Sequence, residues 1–237
     1  MTGTRAVADR YLRAWRNGDR ENRDPQGLRR RRLTVVAVTL VAGIAVNAWA
    51  LRIPAGDTLF YPATAALALV WLTGAFASGP IHLGTEPDHE GHRPVLSSVL
   101  TATVLAVVFC LGALIVARIA PLRDPVQALL DHATVGSLAL VGALTAVNGV
   151  AEECFHRGAV YSAAGRFHPV LVSTGVYAAV TATSGIPLLV VAAVLLGLVT
   201  AVQRRITGGV LGPVVTHVAW SMVMLLALGP ILEAAAP

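Results

Sequence analysis

From Leu33 onward the chain is a succession of seven apolar runs, most of them close to the length of a membrane-crossing helix: Leu33–Leu51, Thr58–Gly79, Val95–Ala120, Ala133–Ala151, Val170–Gly185, Pro187–Gln203 and roughly Gly209–Leu228. A helical span needs about 20 apolar residues. The fifth and sixth runs are short, and Thr183-Ser184-Gly185-Ile186-Pro187 between them reads as a tight helical hairpin. Inside lipid each backbone polar group has to be bonded within the protein, which leaves helices or a closed barrel. The runs therefore predict an all-α, polytopic membrane helix bundle of about seven transmembrane helices. Composition agrees. Only 13% of the 237 residues are charged and 55% are hydrophobic, against about 25% charged in a soluble domain.

All 18 basic residues are arginine, and ten of them precede residue 33. Beside a first apolar span, that placement suits anionic headgroups and topology, and argues against a nucleic-acid partner. With the N-terminus in the cytoplasm, residues 1–32, 80–94, 152–169 and 204–208 hold fifteen arginines and the opposite side three. That bias predicts an integral protein of a cytoplasmic membrane, with Glu152 near the cytoplasmic face. Lysine-free composition points to a GC-rich bacterial genome. In the first 32 residues Val7, Tyr11, Leu12 and Trp15 share a helical face edged by Arg10, Arg13 and Arg16, which fits either an interfacial helix or a disordered basic tail. Asn22–Gly27, with Pro25, reads as a linker. No removable signal peptide is evident. Residues 1–32 thus form a cytoplasmic segment, 33–132 the N-terminal spans and loops, and 133–237 a core that carries the chemistry.

Polar residues inside apolar runs are costly and mark function. Ala151-Glu152-Glu153-Cys154-Phe155-His156-Arg157 places four ionisable groups together. On a helix Glu152 and His156 share one face and Glu153 and Arg157 the next, with the acid on the favourable side of the base. No strong breaker follows before His168-Pro169, so the helix is expected to run past the cluster. Asn148 lies one turn earlier. Further on, Gly208, Gly209 and Gly212 allow close approach or a broken helix, and His217 and Ser221 share a face roughly 16 Å along, if the chain is helical from Ile206. Asp131-His132 reads as the polar start of the fourth span. His82, His89 and His92, among Glu86, Asp88 and Glu90, lack the spacing of a zinc helix and read as a solvated loop. Cys110 and Cys154 build neither a disulfide framework nor a C-x-x-C metal site.

Glu152-Glu153-x-x-x-Arg157, followed by Arg204-Arg205-x-Thr207-Gly208-Gly209, Pro213 and His217, resembles the CAAX-protease and bacteriocin-processing (Abi) family of intramembrane endopeptidases, over roughly Ala133 to Leu228. The family pattern is Glu-Glu-x-x-x-Arg, then Phe-x-x-x-His, then a histidine followed four residues on by Asn or Asp. Here the first motif is intact. The second reads Tyr177 to Thr181, so tyrosine replaces phenylalanine and threonine replaces histidine. In the third, Ser221 stands where Asn or Asp is usual. The resemblance implies that Glu152 activates a water that attacks a peptide carbonyl, with Glu153 and His217 also catalytic and His217 helping to stabilise the oxyanion. Arg157, Thr181, Ser221 and His156 would support them. A carboxylate in a low-dielectric cavity suits a general base, and preorganised donors suit an oxyanion.

The expected function is hydrolysis of membrane-associated peptides or proteins by glutamate-activated water, with the lipid bilayer as the other partner. Without a histidine at 181, either Thr181 positions the water or His156 or His217 takes the missing role. The alternative is a weakened relative that binds membrane peptides without cutting them. No cofactor is expected. Glu152, His156 and His217 match a zinc donor set in kind, but the Glu–His pair has no independent support. A transporter would call for repeats with broken helices in both halves, whereas the charged clusters fall only in the second. A scaffold would tolerate Glu152→Gln.

Overall fold

The computed structural model describes residues 2–21, 26–87 and 91–236, of which the side chains of 2–8, 19–21 and 26 are set aside. Among the described residues there are nine helices and no strand. They are α1 (Thr2–Glu21), α2 (Gln26–Ala50), α3 (Phe60–Ser78), α4 (Val95–Val116), α5 (Ala120–Thr134), α6 (Leu138–Ala164), α7 (Pro169–Ala182), α8 (Pro187–Thr207) and α9 (Leu211–Ala235). Helix α6 is α-helical to Glu153, π-helical over Cys154–Val160, and closes with an α turn, Tyr161–Ala164.

Six helices, α2, α3, α4, α6, α8 and α9, are long and apolar enough to cross a membrane. The expected fifth span is α7, apolar but only 14 residues long. The expected sixth is longer than its apolar run, because α8 carries Arg204 and Arg205 in its last turn. Local sequence sets these limits. Ser137 caps α6 by accepting the Leu140 amide at 3.3 Å. Pro169 and Pro187 open α7 and α8, where a missing N–H costs nothing. Gly208, at φ +73°, ends α8 in a conformation that glycine takes without strain.

Asp131 and His132 do not begin the fourth span. They end α5, a helix that two prolines, Arg123 and Asp124 hide in the sequence. His132 anchors it, with Nε2 3.0 Å from the Ile53 carbonyl and its ring 4.1 Å from that of Phe60.

One end of the bundle gathers most of the arginines. Arg32 donates to Ser78 Oγ and the Pro80 carbonyl, and Arg31 to the Ala77 carbonyl. Residues 82–85 pair through backbone hydrogen bonds with 207–211. Glycine is required there, since a Cβ on Gly209 would collide with the Leu83 backbone. Helix α1 packs on α8 at this end. Trp15 turns toward the protein, with the Arg205 guanidinium 3.9 Å over its ring, while Leu12 stays exposed. The expectations for Val7's side chain, for residues 22–25 of the linker and for Asp88, His89 and Glu90 lie outside the described residues. The other end holds residues 51–59, α5 and the 183–186 turn.

Candidate active site

The charged cluster sits in the middle of α6. Glu153 is eleven residues from Ala164, roughly 16 Å along the axis. The expectation of Glu152 close to the arginine-rich end is therefore corrected: the helix runs on past the cluster, and it is Tyr161 that reaches that end, beside Trp15, Val170 and Ala201. His217 in turn lies about 9 Å into α9 rather than 16 Å, because Gly208–Val210 are not helical.

All seven residues of the π-helical stretch are buried. Glu153, His156 and Arg157 are fully enclosed. Arg157 Nη1 is 3.2 Å from Glu153 Oε1, the pair expected from i,i+4 spacing. Arg157 also donates to the Gly197 carbonyl at 3.1 Å, and its guanidinium lies 4.9 Å from the centre of the Tyr177 ring. A Cβ on Gly197 would come within 3.1 Å of Arg157 Nη2, so glycine makes room for this contact. The Arg157 carbonyl accepts from Arg204 Nε at 3.0 Å, tying α8 to α6. These bonds compensate a buried charge that alone would be strongly unfavourable.

His217 reaches the cluster from α9, which crosses α6 closely at Gly149. Its Nδ1 lies 2.8 Å from Glu153 Oε1 and its Nε2 4.0 Å from Glu152 Oε2. A neutral ring that donates Nδ1–H to Glu153 presents the Nε2 lone pair toward Glu152. Glu153 thus orients His217, and Glu152 is left for other work. Its side chain is 22% exposed, and Oε2 accepts from the Tyr177 hydroxyl at 2.9 Å.

Glu152, His156, Tyr177, Thr181, His217 and Ser221 all line one cavity of about 600 Å³. The structure therefore brings the expected residues together, in two roles. Glu153 and Arg157 form a sealed support behind the cavity, and Glu152 faces into it. His156 Nδ1 donates to the Glu152 backbone carbonyl at 2.9 Å, not to its carboxylate. Thr181 turns its hydroxyl back to the Tyr177 carbonyl at 3.0 Å. Among the described residues no group of three His, Cys, Asp or Glu side chains is disposed to hold a metal ion.

Tyr177 is the site residue that reading by motif underweighted. It stands at the motif position where the resemblance leads one to expect phenylalanine, and its hydroxyl bonds to Glu152. The added oxygen at a motif position was the available signal.

A bundle of membrane-crossing helices enclosing a carboxylate pair and a histidine beside an apolar cavity defines an integral membrane protein with a polar site at membrane depth. Residues 134–223 match the model of the family described as type II CAAX prenyl endopeptidase Rce1-like, a family of membrane proteases. Neither the comparison with curated proteins nor that with solved structures matches the chain to a relative.

Proposed function

We propose that the protein is an intramembrane endopeptidase in which Glu152 activates water against a peptide carbonyl. One observation carries this reading: of two adjacent carboxylates, Glu153 is fully buried and shares Oε1 between Arg157 and His217, while Glu152 faces the cavity with Tyr177 and His217 near it. In the reaction Glu152 takes a proton from water as the hydroxide oxygen bonds to the carbonyl carbon. The C–N bond then breaks, and the same proton passes to the leaving nitrogen. His217, held by Glu153, accepts a proton through Nε2 when neutral and donates from it only when doubly protonated. In the second state it stabilises the oxyanion, with Ser221 one turn along α9 on the same cavity wall. Tyr177 fixes the Glu152 carboxylate.

The substrates proposed are membrane-associated peptides or proteins of a bacterial cytoplasmic membrane, with the N-terminus of the enzyme in the cytoplasm. The arginine tally supports that orientation. A cysteine reporter at Thr85 should label only from the cytoplasmic side, and labelling from outside would reverse it.

A second reading, peptide binding without cleavage, is favoured by Thr181, which bonds to its own helix and supplies no base. One experiment separates the two: comparing peptide termini in membranes carrying the wild type or Glu152→Gln. New termini that depend on Glu152 establish cleavage, and identical termini leave only binding.

A further inference from the structure

The paired helices α2 and α3 hold a second hollow, apart from the one beside Glu152. It is a groove of about 460 Å³ that runs from Thr34 to Ala42 on α2 and from Leu69 to Ala77 on α3. Its floor is buried. Thr39 and Gly74 meet there, and a Cβ on Gly74 would collide with the Thr39 side chain. Its rim is open, with Val38 and Leu69 66% and 65% exposed. Both helices are long and apolar enough to cross a membrane, so apolar rim residues in them meet lipid or another membrane-embedded chain, not water.

Length and charge choose between those occupants. The groove is roughly 12 Å long on each axis, close to the depth of one leaflet, about 15 Å of a core about 30 Å thick. It begins at the membrane edge, since Thr34 is the second residue of the first apolar run and Ala77 lies in the last turn of α3. Arg30 and Arg31 stand one helical turn before Thr34 and Val35, on the same face of α2. Both are exposed, and among the described residues neither is ion-paired with an acid. Arg31 Nε donates to the Ala77 carbonyl at 2.9 Å, which draws its guanidinium across the end of the groove. Thr34 spends its hydroxyl on the Arg30 carbonyl at 3.2 Å. An apolar channel one leaflet deep with two guanidinium groups at its mouth matches a lipid tail below a phosphate, a group that arginine binds through paired N–H donors.

We infer that this groove binds one anionic phospholipid, with an acyl chain between α2 and α3 and the phosphate held by Arg30 and Arg31. The lipid braces α3 from behind, because another face of that helix carries Thr64, Leu67 and Trp71 into the cavity beside Glu152. The inference does not depend on whether the protein cuts peptides.

The test titrates the full chain, purified in detergent, with a phosphatidylglycerol or a phosphatidylcholine of the same chains, and reads retained lipid by native mass spectrometry and unfolding temperature by thermal melt. Thr73 and Ala42 line the groove from opposite helices and are exposed, so Thr73→Phe and Ala42→Phe fill the groove rather than the packing. Leu111→Phe, on exposed α4 surface, and Arg52→Gln, at the other end of the bundle, are the controls. The expected result is one phosphatidylglycerol per chain, bound at least tenfold more tightly than phosphatidylcholine and raising the unfolding temperature. Arg30→Gln combined with Arg31→Gln should abolish that preference, either phenylalanine variant should weaken both lipids at least tenfold, and the controls should match wild type. Should Thr73→Phe not purify as a single species, Ala42→Phe carries the test from the other wall. Wild-type retention in the phenylalanine variants would overturn the groove as the seat of the chain. Equal affinity for the two lipids, or an unchanged preference in the arginine variant, would overturn the arginines as the seat of the phosphate. Chains that pair in detergent whatever the lipid, and separate in Thr73→Phe, would overturn the lipid in favour of a second copy.

Discussion

The half of the bundle toward the arginine-rich end and the half away from it are packed differently. In the first, arginines tie elements together: Arg32 to the end of α3, Arg204 to the Arg157 carbonyl, Arg157 to the Gly197 carbonyl. In the second, a cavity separates the helices, and Asn148 and His156 keep an acceptor without a donor. Glu152 and Glu153 are neighbours in sequence and fall on either side of this boundary. The packed half is a rigid support that fixes one carboxylate so that the next can remain available, the arrangement a preorganised site requires.

If that division holds, Glu152→Gln should lower cleavage by about 10²–10⁴-fold, the usual worth of a general base, while purified yield and thermal unfolding in detergent match wild type. Normal cleavage would erase the distinction between the two carboxylates. Arg157→Ala should do the reverse, costing about 3–5 kcal/mol of stability by leaving Glu153 buried and uncompensated. Combining Arg157→Met with Glu153→Gln should recover part of that loss, because a neutral pair of similar size avoids the stranded charge; thermal unfolding of the single and double variants measures it. Silent behaviour of Glu153→Gln alongside misfolding of Glu152→Gln would mean that the support and the reactive group are exchanged.

Tyr177→Phe probes the boundary itself. It deletes one hydrogen bond to a carboxylate, worth about 1.5–3 kcal/mol, and keeps the ring beneath Arg157. Cleavage should fall roughly tenfold to a hundredfold, with a fall in unfolding temperature no larger than the loss of that one bond, and smaller than that of Arg157→Ala. The smallest effect expected is from Thr181→Val, which removes only a hydroxyl bonded to its own helix. Its rate should stay within about threefold of wild type, since such back-bonding adds little to helix stability. A large loss would show that Thr181 acts on the water after all.

The spans, the i,i+4 pair of Glu153 and Arg157, and the continuation of α6 past its charges were legible in the sequence because each depends on contacts within one helix. In lipid the backbone bonds locally, so apolar length and prolines nearly suffice to place helices. The family resemblance, and the cost of turning either side chain to lipid, also named Glu152 and His217 as one site. Helix α5 was not legible, since its prolines and charges read as a loop until the ends of α3 and α6 give it a surface to lie on. Only tertiary structure decided that His217 gives Nδ1 to Glu153, that Tyr177 rather than Thr181 meets Glu152, and that the cavity lies away from the arginine-rich end. Each of these joins residues 25 or more positions apart. Helix periodicity fixes which face a side chain occupies, but which helix stands opposite that face is set by packing among α3, α6, α7 and α9, and no local pattern encodes it.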